Sequence, residues 1–287
     1  CWKLWWKTWA ISFSFKKNNE MKPITLKLRK KTKFRLDMSF LSCNPNITSV
    51  EKLKSQIIFN GKNQYKVTEL FFVSGSDVKN IFIKSAKDIM DNIGKDMDAM
   101  NITVHGNVGH SFGKEMKSGF LKLHGNSLEH TASGIKGGSL FVFGNTGNYL
   151  CGKPSTNNTG ILDGLIYIKG NVGNHSIQRM RRGNIVIEGN IGDHSCHQMI
   201  SGSIIIKGKI GKNFCDEIKR GTIIVKDKKV VKDYLLANNA EVNFVKFYLL
   251  QISKWIGKNI LPLNKNIIRY HGHKDKNNIC EVFLVKN

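Results

Sequence analysis

Arginine is scarce in this chain. Of 45 basic residues only 7 are Arg, and the 38 Lys are spread over every segment. With 21 acidic residues the formal net charge is +24, a balance that invites nucleic acid, because cations that neutralise phosphates drive nonspecific binding. Yet no aromatic stacking pattern, RNP motif or helix-turn-helix signal accompanies the lysines, so no nucleic-acid partner is expected. A solvated Lys-, Asn- and Ile-rich surface is the plain explanation; an acidic protein or acidic cofactor is the functional one.

Long apolar runs are also missing. None approaches the ~18 residues needed to span a bilayer. The opening CWKLWWKTWAISFSFKK lacks the apolar run and cleavage site of a signal peptide, so no membrane partner and a cytoplasmic location are expected. The cysteines Cys1, Cys43, Cys151, Cys196, Cys215 and Cys280 include no CxxC, which removes the zinc-ribbon and redox-pair signals and leaves reduced thiols. G-x-S-x-G, H-E-x-x-H, a P-loop and a dinucleotide-type G-x-G-x-x-G are absent too. Asp163, Glu188 and Asp193 look like outward-facing residues. No catalytic residue, no metal and no complete active site are therefore assigned to this chain.

What the chain does have is a repeat. Blocks open at Gly106, Gly125, Gly144, Gly170, Gly189 and Gly208, spaced by 19 residues except for one interval of 26 that holds the insert GKPSTNN. Ten residues into the blocks stand Met116, Ile135, Met180, Met199 and Ile218, with Ile161 in that place after the insert. Three residues later comes glycine again, at Gly119, Gly138, Gly164, Gly183, Gly202 and Gly221, the mark of a corner that needs positive φ or close backbone approach. Period-two pairs follow, from Leu121/Leu123 through Ile185/Ile187 to Ile223/Val225, and read as strands with one face buried.

Such a block is too short for a strand and crossover helix, which takes roughly 30 residues, and it lacks helical periodicity. The fold class expected is all-β: a right-handed parallel β-helix, a single solenoid of Gly-rich coils with capping segments at both ends. At about 4.8 Å per coil the six coils make a column on the order of 29 Å. IGKDMDAMNITV fits as a weaker coil with Met100 in the glycine place, and FFVSGSDVKNIFIKS as a further degenerate turn. The domain division expected is 21–86 for an N-terminal cap with a degenerate coil, 87–226 for the β-helix and 227–287 for a C-terminal cap and tail. Residues 1–20, with four of the five Trp, are expected to be an extension foreign to the working protein, the alternative being an aromatic partner-binding arm.

Two columns bear on ligands. Cys151, Cys196 and Cys215 fall seven residues into their blocks, where other blocks have Gly113, Ala132 and Ile177, a pattern of interior packing rather than of ligation. His130, His175 and His194 share a register with Tyr149; a zinc site is conceivable there, but laddered rings do not converge. Arg179, Arg181 and Arg182 in RMRRG are the candidate contact for a partner or anion, since clustered guanidiniums form bidentate pairs with carboxylates or phosphates.

GIKGGSLFVFGNTGNYLCGK, GILDGLIYIKGNVG, RMRRGNIVIEGNIGDHSCHQMISGSIIIKGKIG and IKRGTIIV resemble the coils of the C component of formylmethanofuran dehydrogenase. More particularly, they resemble its methylotroph counterpart, the C component of the formyltransferase/hydrolase complex. The likeness covers about residues 22–285; a more distant one is to the C-terminal domain of glutamate synthase. Where that family has a third glycine, this chain has Cys151, Ile177, Cys196 and Cys215. The resemblance implies a non-catalytic scaffold in one-carbon metabolism, beside an amidohydrolase-like A component, a B component and a formyltransferase D component. The complex would move formyl from formyl-tetrahydromethanopterin to a methanofuran analogue and release formate. It implies no cofactor held tightly by this chain and a methanofuran analogue at the level of the complex. The C component of a dehydrogenase that reduces carbon dioxide, and a stand-alone β-helix interaction module, remain the alternatives.

Overall fold

The computed structural model describes residues 21–30, 32–43, 47–60, 63–237, 242–262, 266–274 and 276–286; the extension or arm expected at 1–20 lies outside them. The period-two pairs become short strands at Phe120–His124, Ser139–Val142, Leu165–Ile168, Asn184–Ile187, Ser203–Ile206 and Thr222–Val225. They pair in parallel without slipping register. Leu121, Leu140, Ile166, Ile185, Ile204 and Ile223 therefore form one column, and Leu123, Val142, Ile168, Ile187, Ile206 and Val225 a second. All twelve are 0 % exposed. Branched side chains repeated in register suit this pleated, buried surface.

Among the described residues these strands belong to one thirteen-stranded sheet, mostly parallel, in a molecule with few helices. Asn101–Gly106, Asp77–Ala86 and Pro23–Leu28 extend it in parallel on one side, and Lys276–Val285 does so on the other. The pairing turns antiparallel only at the ends, through Phe71–Ser74 on one side and through Ile267–His273 and Tyr234–Leu236 on the other. Two expectations need adjusting. FFVSGSDVKNIFIKS is not one turn: its first half is the antiparallel edge, while Ile81 and Ile83 join the inner columns. The C-terminal segment also lengthens the sheet instead of merely covering its end.

A second, sparser ladder joins Val108, Ser127, Thr146, Val172, Ile191 and Ile210. Beside it, asparagine carbonyls bind successive blocks: Oδ1 of Asn107, Asn126, Asn145, Asn171 and Asn190 accepts the backbone N–H of the matching residue one block on, at 2.7–3.0 Å. This crowding explains the block-opening glycines, since a Cβ on Gly125 would stand 2.1 Å from the Gly106 oxygen. The later corner glycine is needed for its backbone, as at Gly119 with φ of 92°.

Between ladder and corner, alternate residues adopt positive φ although few are glycine. His130 and Ala132 have φ of 62° and 56°, followed by Gly134 at 64°. Their N–H groups point to opposite neighbours: His130 donates to Asn148 on the next block, Ala132 to Phe112 on the previous one and Gly134 to Gly152 on the next. The alternation satisfies the backbone in both directions. Ala132, Cys151, Ile177, Cys196 and Cys215 all sit in this conformation with their side chains buried. For Ile177 the left-handed backbone costs roughly 1–2 kcal/mol, which burial of the side chain offsets at about 1.5–3 kcal/mol. Cys151, Cys196, Cys215 and Cys280 are free thiols.

One buried face per strand is the expectation, and over much of the sheet both faces are buried. Phe141, Tyr167, Val186, Ile205, Ile224 and Phe283 lie between the two inner columns in sequence, point the other way, and are buried against Val245, Leu249, Ile252, Ile260 and Leu261. The cover is the helix Asn243–Ile256 and the chain that follows it. A signal was present: FVF, IYI, IVI, III and IIV are unbroken apolar runs, the pattern of strands buried on both sides.

Candidate functional site

The corner carrying the arginines follows from the register. Lys117, Lys136, Leu162, Arg181, Ile200 and Lys219 each donate a backbone N–H to the preceding block, at Met97, Met116, Ile135, Ile161, Met180 and Met199. They therefore form one column. Lys117, Lys136, Arg181 and Lys219 in it are exposed, as are Arg182 and Arg220 beside it. Arg181 and Arg182 of RMRRG are thus part of a longer basic strip. Sequence reasoning missed its lysines because they are a few among 38; aligning the residue that follows the Met or Ile of each block would have found them.

The trio itself divides. Met180 is buried in the core, and Arg181 and Arg182 project to solvent. Arg179 is half-buried in the left-handed run with φ of 53°, donates its N–H to His197 O and accepts from Gly160 N–H. Its Nε is buried and has no hydrogen-bond partner among the described residues. The salt bridges among those residues involve none of the three. Gly160 closes the insert, whose Thr156 hydroxyl donates to Glu115 Oε1 at 2.9 Å.

The aligned rings stack. Centroids of His130, Tyr149, His175 and His194 are 5.0, 5.6 and 5.1 Å apart with interplanar angles of 8°, 16° and 9°, a face-to-face column rather than a convergent set of ligands. Burial, opposed by the nearby Glu129 charge, lowers the His130 pKa. A different trio does converge: ligand atoms of His197, Asp216 and Glu217 all lie within 4.8 Å of one another, and one imidazole with two carboxylates is a set that zinc accepts. Positions eight and nine of adjacent blocks bring these residues together, a proximity visible only once the register is known.

Glu188 corrects an expectation. It is no ordinary outward-facing carboxylate: it accepts from the Tyr167 hydroxyl, from Lys207 Nζ at 3.0 Å and from Lys258 Nζ at 2.8 Å. Burial alone would raise its pKa, but hydrogen bonds from Lys258, Tyr167 and Lys207 bring it down to about 2. Burial and the same carboxylate push the Tyr167 hydroxyl up. Asp193 is likewise structural, accepting the Lys212 N–H at 2.7 Å, whereas Asp163 is exposed as expected.

Among the described residues no helix is long and apolar enough to cross a membrane. No curated protein matches the chain. Among solved structures, a chain of the formyltransferase/hydrolase complex (FhcABCD) from Methylorubrum extorquens, crystallised with methylofuran, has the same fold. Its TM-score is 0.73 at 23% identity, over 91% of this chain and 98% of that one. The sequence pattern of a family described by its GXGXG motif matches residues 74–283, the span that holds the glycine corners, both inner columns and the basic strip. On that match the chain belongs to the GXGXG motif family.

Proposed function

We propose that this chain is a non-catalytic scaffold, like the C component, of a formyltransferase/hydrolase complex. The observation that carries the reading is the near end-to-end likeness to a chain of such a complex, 91% of one and 98% of the other. On this reading the blocks close into a right-handed β-helix over 87–226, a stiff spacer with segments 21–86 and 227–287 at its ends. The amidohydrolase-like A component, the B component and the formyltransferase D component dock on it, and the chemistry stays on them. Formyl passes from formyl-tetrahydromethanopterin to a methanofuran analogue and leaves as formate.

The basic strip has a role in this scheme. A methanofuran-type cofactor carries glutamate carboxylates, and a row of exposed cations raises the local concentration of such an anion without burying it. Arg181 and Arg182, with Lys136 and Lys219 to either side, supply that row, and the half-buried Arg179 stands beside it. Replacing the three arginines by Ala is expected to raise the KM for the cofactor several-fold at low salt, with little effect at high salt where the field is screened. Unchanged kinetics at both salt concentrations would remove the strip from cofactor handling.

The scaffold reading is tested by purifying the tagged full chain from its native cell, identifying what comes with it by mass spectrometry, and assaying formyl transfer. Recovery with amidohydrolase-like and formyltransferase-like proteins in an active assembly is expected. Molybdenum or tungsten and iron–sulfur proteins instead would assign it to a dehydrogenase, and a solitary β-helix protein would overturn the scaffold.

A further inference from the structure

The helix Asn243–Ile256 is apolar on two sides, and among the described residues only one of them is covered. Val245, Leu249 and Ile252 face the sheet and are buried. Around the rest of the same helix Phe244, Phe247, Leu250 and Trp255 are 65 %, 58 %, 50 % and 55 % exposed. At 100° per residue, Leu250, Phe247, Phe244 and Trp255 share one arc opposite the buried side, with Asn243, Lys254 and Gln251 set between them. A surface helix ordinarily has a polar outer face, and large aromatic side chains gathered in the open mark a contact surface.

The face is also held ready. Tyr248 Oη donates to Asn184 Oδ1 at 2.8 Å, Gly257 ends the helix in the left-handed conformation, and the next residue, Lys258, is the one bound to Glu188. The exposed aromatics therefore ride on a helix tied to the sheet through packing and two polar links. Little ordering of the backbone remains for a partner to impose.

Charge selects the occupant. Lys254 lies inside the arc, between Phe247 and Leu250, while Lys246 lies at its border and Lys258 beyond its end; no acidic residue occurs between Asn243 and Lys258. A second copy would set these lysines against their equivalents on a chain of net charge +24, and like charges facing one another oppose association. A partner with an apolar centre and carboxylates at its rim meets both requirements. An acyl membrane surface fits less well, because a cation within the arc calls for a discrete anion at that place.

We propose that the outer face of this helix, with Phe244, Phe247, Leu250 and Trp255 as its anchors, is a docking surface for a different, acid-rimmed protein of the assembly. The inference rests on the scaffold reading only in placing the chain within a multi-protein complex. Aromatic anchors of this kind carry much of the affinity of an interface.

The test uses the full chain in its native cell, with a photo-crosslinking phenylalanine in place of Phe247 and, separately, the double variant Phe247→Asp with Trp255→Asp. The crosslink is expected to reach an acidic protein of the complex, and the double variant to lose that protein by about tenfold or more. Far-UV circular dichroism and thermal midpoint of the isolated variant should match the parent, since both side chains already face solvent. A crosslink to another copy of this chain would overturn the proposal, as would flotation of the parent, but not the double variant, with anionic phospholipid vesicles. An active, complete assembly with the double variant would overturn it while leaving the scaffold reading intact. A crosslink to an acidic protein unrelated to formyl transfer would do the reverse, and a chain recovered alone would remove both.

Discussion

The strands before Phe141 and those from Phe141 onward share the same inner columns and differ in what lies on their backs. Thr103 and Lys122 hold the outward middle position in the earlier strands and are half-exposed. Tyr167, Val186, Ile205 and Ile224 hold it in the later ones and are buried under the helix. One β-sheet thus contains a half with a single core and a half sandwiched between two. The lesson is that the repeat explains the inner core alone; the second core depends on residues that vary from block to block while the glycines stay fixed.

The sharpest way to break this contrast is to charge the same position in each half. Ile205→Asp is expected to destabilise by about 3–5 kcal/mol, the scale of an unpaired charge placed in a packed interior. Thr103→Asp should change stability by less than about 0.5 kcal/mol. Urea unfolding of the two variants decides it: equal effects would mean that the helix is not what buries Ile205.

A smaller effect separates the inner core from the outer one. Ile177→Gly restores the glycine that its left-handed backbone favours, relieving roughly 1 kcal/mol, but empties a fully buried site, costing about 3 kcal/mol or more. Net destabilisation of about 2 kcal/mol is therefore expected from thermal or urea unfolding. A stabilised variant would show that backbone strain outweighs burial in this column.

The smallest effect concerns the link between helix and sheet, and it depends on pH. The Glu188 carboxyl is lowered from its ordinary value of 4.5 to about 2. Its contribution is therefore present above pH 4.5 and is lost as pH falls through about 2. Glu188→Gln should lower the thermal midpoint at neutral pH, and the gap between variant and parent should close across that acid window. A gap that persists below about pH 2 would assign the loss to packing rather than to charge.

The block period, the inner columns and the corner glycines were legible because each is a local requirement repeated at fixed spacing. Gly119 must have positive φ and Leu121 must point inward wherever they stand in the stack. The cover on Ile205 was less legible, because its partners Val245, Leu249 and Ile252 come from a helix some distance along the chain with no repeat of its own. The lowered pKa of Glu188 likewise needs Lys207 from the next block and Lys258 from beyond the helix. The basic strip was half legible: Arg181 and Arg182 stood out against a lysine-rich background, and Lys136 and Lys219 did not. Left-handed residues such as His130 and Ile177 left no compositional trace, because here the conformation is supported by alternating backbone hydrogen bonds instead of by glycine.

The asparagine ladder has a consequence for how such a chain changes length. Each of its bonds reaches only to the next block, so a whole block can be inserted or deleted as a unit wherever nothing bridges several at once. Blocks ahead of Ser139 lie outside the helix's reach, although the Thr156 bond to Glu115 still skips a block; those whose strands run from Ser139–Val142 to Thr222–Val225 do not, because one helix and its trailing segment touch their whole outer column. Growth or shrinkage by whole blocks is therefore better tolerated on the uncovered side. It would move the two ends of the molecule apart or together in steps of about 4.8 Å.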